Sequence, residues 1–211
     1  MTDHPMDILS RFPLRRWTNQ KQVFLAAVQS YAGSLGYRTK AEKGSWGCEN
    51  LVIGDPETAL CLITADYHGT SGAAVILETA ASVPVNLRRR VCFVLFDGKT
   101  GASAYGKKHR FALDLQTVVS VGRVGKGDTI LFRPDKAVCA DADRLNRLID
   151  LERRCGQKRI RILDKKPCRL PFSAGVRVYT KGCGLFDRIP DHTNVNILRA
   201  CLITYIGSAA E

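Results

Sequence analysis

The sequence holds no apolar run approaching the roughly 20 residues that a helix needs to cross a bilayer. Its opening stretch, residues 1–19, is polar, charged and broken by Pro5 and Pro13 where a secretory leader would carry an apolar core. No membrane partner is expected, and the expected location is cytoplasmic. Eight cysteines are present, but none forms a C-x-x-C pair, so zinc ribbons and dithiol redox centres lack their framework. Cys61 and Cys92 sit in apolar, strand-like runs where a thiol acts as a small hydrophobe, and most of the eight are expected to be free. The helix-borne H-E-x-x-H signature is absent. Residues 122–127 (GRVGKG) lack both the Gly-Lys-Ser/Thr ending of a phosphate loop and the spacing of a dinucleotide fingerprint. There is no internal repeat, low-complexity tract or Ser/Gly-rich linker, so a single domain over residues 1–211 is expected, with residues 1–40 as an N-terminal helical extension.

Acidic residues are in short supply. Twenty Asp and Glu face 32 Lys and Arg, which leaves a formal charge of +12. Such an excess raises association with polyanions only where it is clustered. The densest runs are residues 88–90, 106–110 and 153–169, and none interleaves basic residues with aromatics as nucleic-acid modules do. A solvated basic face is therefore expected, with His109 solvated inside its run, and nucleic acid is not an expected partner despite the charge.

What is present suits one ordinary globular core: 211 residues, 45% apolar and 25% charged. Residues 21–36 repeat apolar positions at helical spacing and stop at glycine. Short apolar runs at 50–54, 60–65, 91–96, 117–121, 129–132, 159–163 and 176–179 read as strands. Residues 72–81, 100–108, 141–154 and 195–206 read as helices. This alternation, with nearly all-apolar central strands, predicts an α/β three-layer sandwich with a mostly parallel or mixed central sheet and helices on both faces. In such sheets ligands gather at the carboxyl ends of the strands. Those ends carry Asp66 and His68, then Asp97, Lys99 and Thr100, and the region before the last helix carries His192.

From residue 49 onward, these segments resemble the zinc-dependent aminopeptidase family that includes aminopeptidase Y-like and glutaminyl-cyclase-like proteins, in a truncated form. The resemblance implies that fold, and a ligand set that this chain has mostly lost. Where the family carries A-H-Y-D, this chain has Ala65-Asp66-Tyr67-His68, and the bridging-Asp loop has shrunk to Gly69-Thr70. The F-D-G-E-E-x-G pattern, with its general base and zinc ligand, has become Phe96-Asp97-Gly98 followed by Lys99 and Thr100. The Asp position of a D-x-V-G turn is Val119, and only His192 of His192-Thr193 matches a family ligand.

A two-zinc site needs about five protein ligands and a carboxylate base. Cationic Lys99 in the base position would repel the metals and could not accept a proton while charged. The resemblance therefore implies a non-catalytic binding or interaction module for a peptide, a small ligand or a protein, with no cofactor expected. The alternative is a metal-dependent hydrolase or aminopeptidase with an atypical single-metal site. In that case Asp66, His68 and His192 would hold zinc, where the non-functional reading makes them a hydrogen-bonded polar remnant.

Overall fold

Along β4 every residue is apolar and buried, and in the central strands successive side chains feed two different cores. The computed structural model describes residues 5–11, 18–44, 47–110, 117–155, 159–165, 167, 168, 170, 175–181 and 191–208. Its strands are β1 (Thr39–Lys43), β2 (Glu49–Ile53), β3 (Cys61–Asp66), β4 (Val91–Phe96), β5 (Thr117–Val121), β6 (Ile130–Pro134), β7 (Ile160–Ile162) and β8 (Gly175–Thr180). They form one eight-stranded mixed sheet in the order β1-β2-β4-β3-β5-β8-β6-β7. The four inner strands β4, β3, β5 and β8 run parallel. β2 and β6 join them antiparallel at either side.

Leu51, Ile63, Phe93 and Val119 point into the larger core on one face. Their neighbours Val52, Leu62, Val94 and Val118 point into a smaller one on the other. This period of two is the pleat of a sheet buried on both sides.

The larger core is covered by α1 (Pro5–Arg11), α2 (Thr18–Ser34), α3 (Thr70–Ser82), α6 (Ala142–Cys155) and α7 (His192–Ser208), which contribute residues such as Leu9, Phe24, Val75, Leu148 and Leu202. The smaller core is covered by α4 (Gly98–Lys108) through Ala102 and Tyr105. Helices on both faces of a mixed sheet are the three-layer α/β arrangement expected from the strand–helix alternation. Among the described residues no helix is long and apolar enough to cross a membrane. The seven described cysteines are all free, and burial pushes the Cys61 thiol up to about 12, as befits a small core hydrophobe. Cys183 lies outside the described residues.

Local chemistry explains how the elements stop. After α2 the chain turns at Gly36, whose φ of 86° is open to glycine, and the Tyr37 N–H returns to Ala32 O at 3.1 Å. Arg88, in a 3₁₀ turn at Val85–Arg90, then ties two helix ends together. Its guanidinium donates to Leu35 O, just past α2, and to Val83 O, just past α3, and stacks 5.5 Å from the Tyr37 ring. A cation on the negative ends of two helices is favourable, so this arginine holds structure and is not part of a purely solvated run.

Two features depart from the sequence reading. Residues 39–43 form an edge strand, not the end of a helical extension. That strand is mostly polar and exposed, with only Glu42 turned inward, so it lacks the apolar alternation by which strands are recognised. Glu42 meets His109, which is 9% exposed where a solvated ring was expected. His109 Nε2 lies 2.9 Å from Glu42 Oε2, and Lys108 Nζ lies 2.9 Å from Glu42 Oε1. The second difference is α5 (Lys136–Ala140), a short helix started by the Asp135 carboxylate, which accepts from Val138 N–H at 2.9 Å.

Burial alone would raise the Glu42 pKa, but the hydrogen bonds and charges of His109 and Lys108 outweigh it and hold the carboxyl below its usual value. A carboxyl depressed in the fold contributes stability above its unfolded pKa. That contribution is lost as pH falls through the folded value. Urea unfolding measured across pH should therefore show stability declining below about pH 4, with a shallower decline in Glu42→Gln. Arg88→Met should lower unfolding free energy by about 1.5–3 kcal/mol in the same assay, the usual worth of hydrogen bonds from a charged group.

Candidate functional site

β4 is buried at every position up to Phe96, and the next residue, Asp97, places a carboxylate where the inner strands end. Three elements bring donors to it. Lys21 Nζ of α2 lies 2.6 Å from Oδ2, the Glu49 N–H of β2 lies 3.0 Å from the same oxygen, and His68 Nε2 lies 2.8 Å from Oδ1. Burial would raise the Asp97 pKa, but the Lys21 ammonium, followed by the other donors, holds it below the ordinary aspartate value. An anionic Asp97 can only accept, so His68 donates to it through its Nε2–H. Its Nδ1 is buried with no hydrogen-bond partner among the described residues.

Asn50 locks the same corner. Its Oδ1 accepts the Asp97 N–H at 3.1 Å and its Nδ2 donates to Gly101 O at 2.9 Å. A Cβ at Gly101 would collide with that amide, so the glycine lets α4 approach β2. Gly98, at φ 62°, makes the turn from strand to helix.

The residues singled out in the sequence are only partly gathered. Asp66 is exposed at the end of β3, and its Oδ1 accepts the His68 N–H at 2.8 Å, closing a tight turn. His68 faces Asp97. Lys99 and Thr100 are exposed in the first turn of α4. Val119 is a core residue, 1% exposed and paired with Ile63 and Val176, because the pleat turns it away from the cleft and presents Ser120 instead. His192 is exposed as the first residue of α7, and no hydrogen bond or ion pair joins it to Asp66 or His68. Among the described residues no three His, Cys, Asp or Glu side chains are grouped to hold a metal ion. Asp97 takes the Nε2 side of His68, so Nδ1 is the ring nitrogen left without a partner.

Beside this corner a cavity of about 790 Å³ opens across the ends of β3, β4, β5 and β8, a volume suited to a small ligand. Among the described residues its charged lining is Lys99, Arg123, Arg133 and Arg177 against one acid, Asp66. Sequence reasoning missed Lys21, which sits within a helix read only for its apolar spacing. It also missed the three arginines. Arg133 and Arg177 did carry a signal, since each is a charge at an alternate position inside an apolar strand, in Leu131-Phe132-Arg133 and Val176-Arg177-Val178.

No family model matches this chain, and no curated protein matches it. Solved structures do. The glutaminyl cyclase of Porphyromonas gingivalis superposes with a TM-score of 0.68 at 14% identity, covering 99% of this chain and 98% of that one. The glutaminyl cyclase of Fimbriiglobus ruber gives 0.68 at 15%, covering 98% and 94%. A Zn-dependent exopeptidase from Parabacteroides distasonis gives 0.65 at 12%, covering 96% and 95%. At these identities the likeness is one of fold, and the chain has the α/β architecture of glutaminyl cyclases and zinc-dependent exopeptidases.

Proposed function

We propose that this chain is a non-catalytic protein on the zinc-exopeptidase-like fold, using its strand-end cleft to bind a ligand instead of cleaving one. The observation that carries the reading is that the Asp97 carboxylate is already taken up by three donors. A metal-dependent hydrolase needs carboxylates and imidazoles with free lone pairs aimed at a cation, and a base able to take a proton from water. Here the Asp97 carboxylate is bonded to Lys21, Glu49 N–H and His68. The positions that resemble the base and ligand of the family are Lys99 and Thr100, both exposed on α4. Asp66 lines the cleft, His68 is bonded to Asp97, and His192 is exposed at the start of α7. The cleft itself persists, which is what a binding role requires.

The fold cannot name the ligand, since one architecture serves many functions. The test is metal content and turnover together. After chelator treatment and re-addition of zinc, the purified protein is expected to retain zinc well below one equivalent by mass spectrometry, and to be inactive on aminoacyl and N-terminal glutaminyl substrates. The double variant Lys99→Glu, Thr100→Glu is expected to fold and to stay inactive with zinc present. The loss extends beyond those two positions, and a site missing one cooperating element loses nearly its whole effect. Chelator-sensitive turnover by either protein would overturn the binding reading.

A further inference from the structure

The pairing register of the sheet sets two arginines against each other. Arg133 of β6 and Arg177 of β8 are direct cross-strand partners, and Ser120 of β5 is the partner of Arg177 on its other side. Directly paired residues share a face with Cβ atoms about 4.5–5.5 Å apart, and like charges so placed destabilise a sheet. Both guanidinium-bearing residues line the cavity, as do Arg123, just past β5, and Lys99 at the start of α4.

Two acids of this region accept hydrogen bonds from backbone N–H groups. Asp66 accepts the His68 N–H, and Asp135, two residues beyond Arg133, accepts from the N–H groups of Val138 and Gly175 at 2.9 Å each. No ion pair joins Lys99, Arg123 or Arg177 to an acid among the described residues. Arg133 is oriented by a hydrogen bond from Nη2 to Pro167 O at 3.2 Å.

One further observation points to an anionic ligand. α4, of 11 residues, opens onto the cavity at Gly98 and Lys99, and its first turn receives no side-chain cap because the Asp97 carboxylate is spent on Lys21, Glu49 and His68. An uncapped N-terminus of that length favours an anion.

We propose that this cavity binds a compact small-molecule polyanion, carrying phosphoryl groups or two or more carboxylates, clamped between Arg133 and Arg177 and completed by Arg123 and Lys99. Planar guanidinium forks suit either oxyanion, since each can give two parallel N–H bonds. The apolar floor of Ala65, Phe96 and Val121 leaves room for a carbon skeleton. This assignment rests on the binding reading above and adds the chemistry of its ligand.

The experiment is calorimetric titration of the intact chain at low ionic strength with pyrophosphate and with citrate, beside thermal melts in the same buffers. Saturable one-to-one binding is expected for at least one probe. Preference for pyrophosphate would identify a phosphoryl ligand, and preference for citrate a polycarboxylate. Arg177→Gln and Arg133→Gln are each expected to weaken it by about tenfold or more, while Arg153→Gln, at an exposed position of α6, leaves it unchanged. Without ligand, Arg177→Gln should melt at or above the wild-type temperature, because the cross-strand repulsion is relieved. If a strand variant does not fold, exposed Arg123→Gln provides the same affinity readout. Absence of binding at millimolar probe, or weakening by Arg153→Gln equal to that by Arg177→Gln, would overturn the assignment. Zinc-dependent turnover would instead overturn the binding reading and leave the anion result standing.

Discussion

The cleft region is organised around one carboxylate that has to be satisfied where a fully buried strand ends. Asp97 follows six buried residues of β4, and a charge at such a place is tolerated only when paired and hydrogen-bonded. It draws its partners from α2 through Lys21, from β2 through Glu49 N–H, and from the β3–α3 turn through His68. Its own N–H is taken by Asn50, which also holds α4. Elements that are distant in sequence are thus brought together by one acceptor. Diverting that acceptor to a metal or a water would leave the Lys21 ammonium, 13% exposed, without its carboxylate. The network that builds the corner therefore commits the Asp97 carboxylate to holding these elements together.

How far this could be read in advance depended on whether each residue's neighbours were local. β2 to β5 announce themselves because their apolar runs are buried on both faces, and a run such as Val91–Phe96 has no exposed alternative. β1 did not, because an edge strand needs only one inward residue, and Glu42 looks like any surface acid until His109 is set against it. The resemblance to zinc aminopeptidases brought the fold and the strand ends within reach, and the structures of glutaminyl cyclases and exopeptidases share that fold. Ligand-by-ligand matching was less informative. Val119 proved to be a core residue, and pairings such as Lys21 with Asp97, 76 positions apart, leave no trace in spacing.

The charge of the strand ends has the opposite sign from that of a metal site. Carboxylates concentrate negative potential to hold cations, and here, among the described residues, Lys99, Arg123, Arg133 and Arg177 outnumber Asp66 around the cavity. A low-dielectric pocket lined by one sign of charge focuses its field and recruits ligands of the other sign. The excess of basic residues over the chain as a whole says little about partners, since part of it is structural, as at Arg88. Its concentration at the carboxyl edge is the informative part.

The arginine pair also cannot be relieved by a local rearrangement. Val176 and Val178, on either side of Arg177, are buried in the larger core, and Phe132 beside Arg133 is buried there too. Slipping β8 by one residue would carry those valines to the opposite face and turn Arg177 into the core, because side chains alternate with a period of two. The register is therefore held by apolar burial on one face, and the repulsion on the other is a fixed consequence of it. An oxyanion seated between the two guanidinium groups would relieve that repulsion without any change of register.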